Sequence, residues 1–314
     1  MEKPKECFKT SVGGQALMEG IMMRGPEKIC VAVRRPDGTL DMTYEDVKHH
    51  RWQKIPLVRG AAAMIENLVL GYRYLMHSAE VSMPEEAEEE PGRFEKWLGE
   101  HAGPGVQNFF MALAAVCGGL LAIVLFMVLP TAIVGLIDRF LPLGWGKVVL
   151  EGVLKIALFV GYLFLCTRMK EIHRVFEYHG AEHKTIACYE AGEELTVENV
   201  RHHRRFHPRC GTSFLFVVIV VAILISSFVF SFVEITNVFA RMGVHLLLLP
   251  VVVSITYELN RWVGGHDNPV TRLLTAPGLW LQNWTTFEPD DSMIEVGIRS
   301  LELVLPSEKG KDAW

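Results

Sequence analysis

Residues 213–233 read SFLFVVIVVAILISSFVFSFV, a run without a single charge, and this run constrains the fold more than any other feature. A bilayer core of about 30 Å needs roughly 20 apolar helical residues. A backbone in that medium must satisfy its N–H and C=O groups internally, which a helix does. Three more runs are long enough: 109–137, from about 148 to 167, and from 242 to about 263. Pro130 predicts a kink, or the end of the straight part, in the first. Glu258, Asn260 and Arg261 crowd the end of the last, so a buried soluble helix is its alternative. With 50% hydrophobic residues the chain is too apolar for an ordinary cytosolic domain; with 21% charged residues it is too polar to be all membrane.

The loops predict an orientation. The 168–212 loop carries Arg168, Lys170, Arg174, Lys184, Arg201, Arg204, Arg205 and Arg209, whereas 138–147 has Arg139 and Lys147, and 234–241 only Arg241. The positive-inside rule puts the basic loop in the cytosol. Four spans then make this a multi-pass protein of the bacterial cytoplasmic membrane with both N- and C-termini in the cytosol. The first 100 residues show no signal-peptide pattern, which agrees. The six cysteines are scattered without a C-x-x-C, so no disulfide framework is expected. Glu151 and Lys155 lie one helical turn apart and are expected to form an interfacial ion pair near the outer end of the second span. His245 receives no role.

The polar segments have patterns of their own. KICVAVRRPDGTLDMTYE (28–45) is a hairpin signal around Pro36-Asp37-Gly38. In 11–26, Gly13-Gly14 and Gly20 allow close backbone approach or sharp turns. Residues 59–80 read as a helix, with Met64, Leu68, Tyr72 and Leu75 at helical spacing and expected to pack on the cytosolic domain; the alternative is a helix lying on the membrane surface. The acidic EEAEEE (85–90) marks a linker over 84–104, and 94–103 suggests a short interfacial helix anchored by Trp97. In the tail, Trp280, Trp284 and Phe287 precede a helix over 291–305 that carries Ile294, Ile298, Leu301 and Leu305 on one face, with Asp290, Asp291 and Ser292 as caps. The fold class is thus a polytopic α-helical membrane protein with four transmembrane helices and a cytosolic α+β domain built from N-terminal, central-loop and C-terminal segments. The boundaries are 1–83 for the N-terminal cytosolic segment, 84–108 for the linker, 109–167 for the first two spans, 168–212 for the His/Cys-rich loop, 213–263 for the last two spans and 264–314 for the C-terminal segment.

The chemistry concentrates in the basic loop. FEYHGAEHKTIACYE (176–190) contains His179-x-x-Glu182-His183. Histidines four apart share one helical face and can share a tetrahedral ion, and this order is a known catalytic pattern in which the glutamate activates water. Gly180 weakens the helix the geometry needs. RHHRRFHPRCGTSF (201–214) adds His207 and Cys210, a pair with two residues between, alongside His202 and His203. Imidazoles with one thiolate suit Zn²⁺ over Mg²⁺ or Ca²⁺. If His179, His183, His207 and Cys210 all bind, the shell is closed and structural; catalysis by Glu182 requires one of them to stay off. The alternative for the cluster is a site for anionic headgroups or nucleic acid.

GGQALMEGIMMRGP (13–26), YHGAEHKTI (178–186), GEELTVENV (192–200), HPRCGTSFLF (207–216) and APGLWLQNWTTFEPDD (276–291) resemble the YqhQ-like family of bacterial membrane proteins, over about residues 11–305. The resemblance implies a membrane protein of a kind described as predicted metal-dependent enzymes. Their genes often lie near translation genes, which hints at ribosome or membrane-protein biogenesis. It supplies no catalytic residues. Two functions follow as expectations. One is a zinc hydrolase at the membrane surface, with Glu19 and Arg24 as further site residues. The other is a non-enzymatic factor that docks a ribosome or protein translocase through its arginines while the metal staples the loop. The lipid bilayer is the one partner the sequence requires, a homo-oligomer is a further candidate, and no small-molecule partner is identifiable. Four spans with few midplane charges give transport little support.

Overall fold

The structure, a computed structural model, describes residues 8–83, 104–144, 146–233, 235, 237–308 and 310–314. The expected linker over 84–104 lies almost wholly outside the described residues, as does the helix around Trp97. In chain order the elements are β1 (Gly13–Leu17), β2 (Gly20–Arg24), β3 (Lys28–Arg34), β4 (Leu40–Asp46), α1 (Val58–Ser82), α2 (Pro104–Ile123), α3 (Leu129–Phe140), α4 (Gly146–Cys166), α5 (Lys170–Glu190), α6 (Val197–His202), α7 (Gly211–Phe232), α8 (Val238–Gly265), α9 (Pro269–Thr285) and α10 (Asp291–Glu302). The chain divides into a sheet-bearing unit, Met1–Met83, Leu163–Ala222 and Leu249–Trp314, and a helical unit, Pro84–Tyr162 and Ile223–Leu248. Among the described residues four helical stretches are long and apolar enough to cross a membrane: Val116–Phe140, Gly146–Cys166, Gly211–Phe232 and Phe239–Gly265.

In the sheet-bearing unit the four strands pair antiparallel in chain order. The hairpin expected around Pro36 is there, closed by Gly38 at φ 84°. Because side chains alternate across a strand, the sheet has two apolar faces. Ile21, Met23, Cys30 and Ala32 pack against Tyr178, Ala181 and Ile186 of α5 and Met293, Val296 and Leu301 of α10. Leu17, Ile29, Val31 and Val33 take Tyr74, Leu70 and Leu75 of α1. Each fully buried apolar side chain contributes about 2 kcal/mol. Asp290 caps α10 by accepting from the Met293 N–H at 2.9 Å.

The docked face of α1 differs from the expected one. Leu68 and Tyr72 point outward, 65% and 58% exposed, with Ile65, Val69 and Met76 beside them. The sheet instead receives the side bearing Gly71, Tyr74 and Ser78, which are buried. A Cβ at Gly71 would lie 2.8 Å from the Gln15 side-chain oxygen. The helix is apolar around most of its circumference, so close approach by small residues selects the face and apolar periodicity does not.

In the helical unit α2 runs on into α3 through one π turn, Val124–Val128. Pro130 follows this turn directly and the helix continues past it, because the widened turn relieves the clash a proline makes with the preceding turn. The ion pair expected between Glu151 and Lys155 is present, and Glu151 has further partners. It is 3% exposed and accepts from Lys155 Nζ at 2.9 Å, Thr131 Oγ1 at 2.8 Å and Arg241 Nη2 at 3.0 Å. The interfacial pair is a buried network, and its third member comes from a helix 90 residues away. His245 joins its edge through Ser226 Oγ at 3.0 Å.

Candidate metal centre

The HGAEH stretch sits in the middle of α5, which stays helical through Gly180. Gly180 is needed there because a Cβ would collide with the Phe287 carbonyl oxygen. Segment 285–289 lies directly on the helix at that point, tied by the Phe287 N–H to the Phe176 carbonyl at 2.9 Å. The helix turn puts His179, Glu182 and His183 together, and the HPRC arm brings Cys210 to them just before α7. One donor atom each from His179, His183 and Cys210 lies within 4.8 Å of the other two.

Backbone carbonyls orient both imidazoles. His179 Nδ1 lies 2.7 Å from the Thr285 oxygen, and His183 Nδ1 lies 2.6 Å from the Arg205 oxygen. A carbonyl only accepts, so each Nδ1 carries the proton and each Nε2 is left for the cluster. This second set of bonds is what fixes metal-binding histidines elsewhere. His179 Nε2 meets Cys210 Sγ at 3.2 Å. Burial opposes both charged forms, yet the neighbouring thiol pushes His179 up to about 9. For Cys210, burial is likewise outweighed by His179 and His183, which hold the thiol well below its usual range. The thiolate is the form that binds metal, and the proton shared across this contact is the one a bound cation displaces.

Glu182 is buried beside the cluster. Burial raises its affinity for a proton, against the opposing pull of His179 and His183. Its Oε2 has no hydrogen-bond partner, a costly state for a buried carboxylate oxygen. Gly14 is required here, since a Cβ would stand 2.9 Å from the Glu182 carboxyl carbon. The cluster opens into a cavity of about 300 Å³ lined by Gly14, Glu182, Ile186, Arg209, Thr212 and Leu215, among others.

Of the four expected ligands the structure brings three together. His207 lines the same cavity, but its imidazole bonds Glu190 at 3.4 Å, and its ring centre is 5.6 Å from that of His183. Gln282 holds the His207 backbone from both sides, accepting from its N–H and donating to its carbonyl, each at 2.8 Å. Arg209 pairs with the same Glu190. Burial lowers the His207 proton affinity further than Glu190 restores it. Glu19 and Arg24 are not among the residues that line the cavity. Glu19 accepts from Arg174 Nη2 at 2.6 Å and from Tyr178 at 3.1 Å, and Arg24 pairs with Glu66 at 3.0 Å. Sequence reasoning missed Gln282, Thr285 and Glu190; the first two lie in the APGLWLQNWTTFEPDD stretch, whose aromatics drew the attention. A second group, Cys188, Glu193 and His203, also has donor atoms within 4.8 Å of one another. Its Glu193 is exposed and already bonds His203 at 3.2 Å.

The fold and site define a class: a mostly helical chain with, among the described residues, four membrane-length helices and a small antiparallel sheet whose covering helix contributes two histidines to a His₂Cys group. The chain belongs to the family described as protein of unknown function (DUF1385), whose model matches residues 55–307. It is 35% identical over 307 residues to the uncharacterized protein YqhQ of Bacillus subtilis (strain 168), covering 96% of this chain and 94% of that protein. No solved structure matches it.

Proposed function

We propose that the chain is a multi-pass membrane protein whose sheet-bearing unit binds zinc through His179, His183 and Cys210 and works as a hydrolase with Glu182 as general base. The observation that carries this reading is the unpartnered Glu182 Oε2 beside three convergent donors, open to a cavity. The donor set fits: two imidazoles and one thiolate are the ligand types of a three-ligand zinc site. A zinc ion there supplies a Lewis acid that makes water acidic near neutral pH. Glu182, with its raised proton affinity, would be the group that accepts a proton and returns it to the leaving group. His207, held by Glu190, stays apart from the three donors. The basic 168–212 loop argues for placing this unit on the cytosolic side.

A docking factor for ribosomal RNA needs free arginines. Five of the eight cations of the loop, Arg174, Lys184, Arg201, Arg205 and Arg209, are instead paired with Glu19, Glu288, Asp291, Glu288 and Glu190, which leaves Arg168, Lys170 and Arg204. The hydrolase reading is therefore the better supported. The test is metal content after purification without chelators. About one zinc per chain is expected, falling to background in Cys210→Ser; less than a tenth of an equivalent in the parent protein overturns the reading.

A further inference from the structure

The strand next to the metal centre has an open side. β1 is at the edge of the sheet, paired only with β2. In an antiparallel ladder, residues that bond the partner strand alternate with residues whose peptide groups face away. Leu17 and Gly20 face each other across a two-residue turn and so bond each other, which makes Gly14 and Ala16 the residues of β1 that turn their peptide groups to the open edge. Gly13 and Gly14 carry no side chains to shield it, and a second backbone can come close.

Two cavities flank this edge. The one at the metal centre is about 300 Å³, and the other is about 460 Å³. Both are lined by Ser11, Gly13, Gly14, Gln15 and Gly211. The second adds Met22, Arg24, Ile29, Asn67 and Leu70. The chain itself places an extended segment on the approach to the same edge. Thr10 and Ala313 form an antiparallel bridge. The Ser11 N–H donates to the Asp312 carbonyl at 2.5 Å, and the Trp314 N–H donates to the Lys9 carbonyl at 3.0 Å. Trp314 also lines the first cavity.

We infer that the open edge of β1 binds an extended polypeptide by strand addition, with a peptide carbonyl beside the His179, His183 and Cys210 group. An added strand projects alternate side chains to opposite faces, which here means alternately into the two cavities. The mixed apolar lining of both suits uncharged side chains. The bond broken is then a peptide bond: water adds its oxygen to the carbonyl carbon, the C–N bond breaks, and Glu182 passes the water proton to the departing amine. Cleavage rests on the zinc hydrolase reading; binding does not.

The test uses the full-length chain in lipid nanodiscs, zinc-loaded and carrying Glu182→Gln to prevent turnover. The probe is a fluorescein-labelled peptide of alternating alanine and valine flanked by lysines, read by anisotropy. Two further versions are N-methylated, one at every alanine and one at every valine. Successive N–H groups of a strand point to opposite sides, so one version should lose at least about tenfold in affinity and the other less than about threefold. No binding by the unmethylated peptide, or equal binding by all three, or equal weakening of both methylated ones, overturns the inference. Incubating the parent protein with the unmethylated peptide separates the two readings. Binding without cleavage removes the hydrolase and keeps the strand addition. Hydrolysis of a p-nitrophenyl ester without peptide binding does the reverse.

Discussion

Glu151 and Glu182 are both buried inside polar clusters and are satisfied in opposite ways. Both oxygens of Glu151 are used, by Lys155 and Thr131 on one and Arg241 on the other. What is left over there is a donor, Arg241 Nε, and a ring nitrogen of His245. Among the described residues Glu182 keeps a bare oxygen, while the three donors beside it point inward at one another. The first arrangement is closed by the protein's own cations. The second is short of one cation, and that difference separates a cluster that holds helices together from one that takes a ligand.

Substitutions can break this contrast. The largest effect is expected from Glu182→Gln, which should lower hydrolysis by about 10²–10⁴-fold while zinc content and melting temperature stay near the parent values. A parallel loss of zinc would make Glu182 part of the binding set instead. Next comes Glu151→Ala, which removes the only carboxylate described in its network and leaves Lys155 and Arg241 facing each other. Breaking a buried pair costs about 3–5 kcal/mol, so thermal unfolding in detergent should shift strongly while zinc binding does not. Unchanged stability would show that the network is solvated.

Glu190→Gln tests the contrast within α5 itself. Burial opposes the Glu190 charge, but His207, Arg209 and the Thr10 N–H hold its proton affinity below the usual carboxylate range. A lowered carboxylate pKa means that the unfolded chain binds more protons, so its contribution is present above the unfolded value near pH 4.3 and is lost as pH falls through the folded one. The substitution should cost about 3 kcal/mol at pH 7, and the gap should close on acidification into that window. A gap independent of pH would mean that Glu190 acts by packing alone.

The two clusters were not equally legible in the sequence. His179, Glu182 and His183 fall on one helical face within five residues, and Cys210 follows in a compact arm, so local spacing was enough. The His207–Cys210 spacing suggested a ligand pair, yet Gln282 clamps the backbone of His207 and Glu190 takes its ring, and no local pattern announces either partner. Glu151 and Lys155 read as an interfacial pair, and the rest of their network is hidden for the same reason: Arg241 lies 90 residues on. The expected face of α1 failed because Gly71 and Ser78, small and not apolar, let the sheet approach. Spacing reads contacts within a helix; contacts between distant segments decide which of those residues is left unpartnered.

X-ray absorption at the zinc edge on the purified, zinc-loaded full-length chain tests the central claim most directly. The account predicts one sulfur at about 2.3 Å and three nitrogen or oxygen neighbours at about 2.0–2.1 Å, with an unchanged spectrum in His207→Gln and loss of the sulfur shell in Cys210→Ser. A shell that loses one imidazole in His207→Gln would close the site with four protein ligands, leave Glu182 no water to activate, and contradict the account.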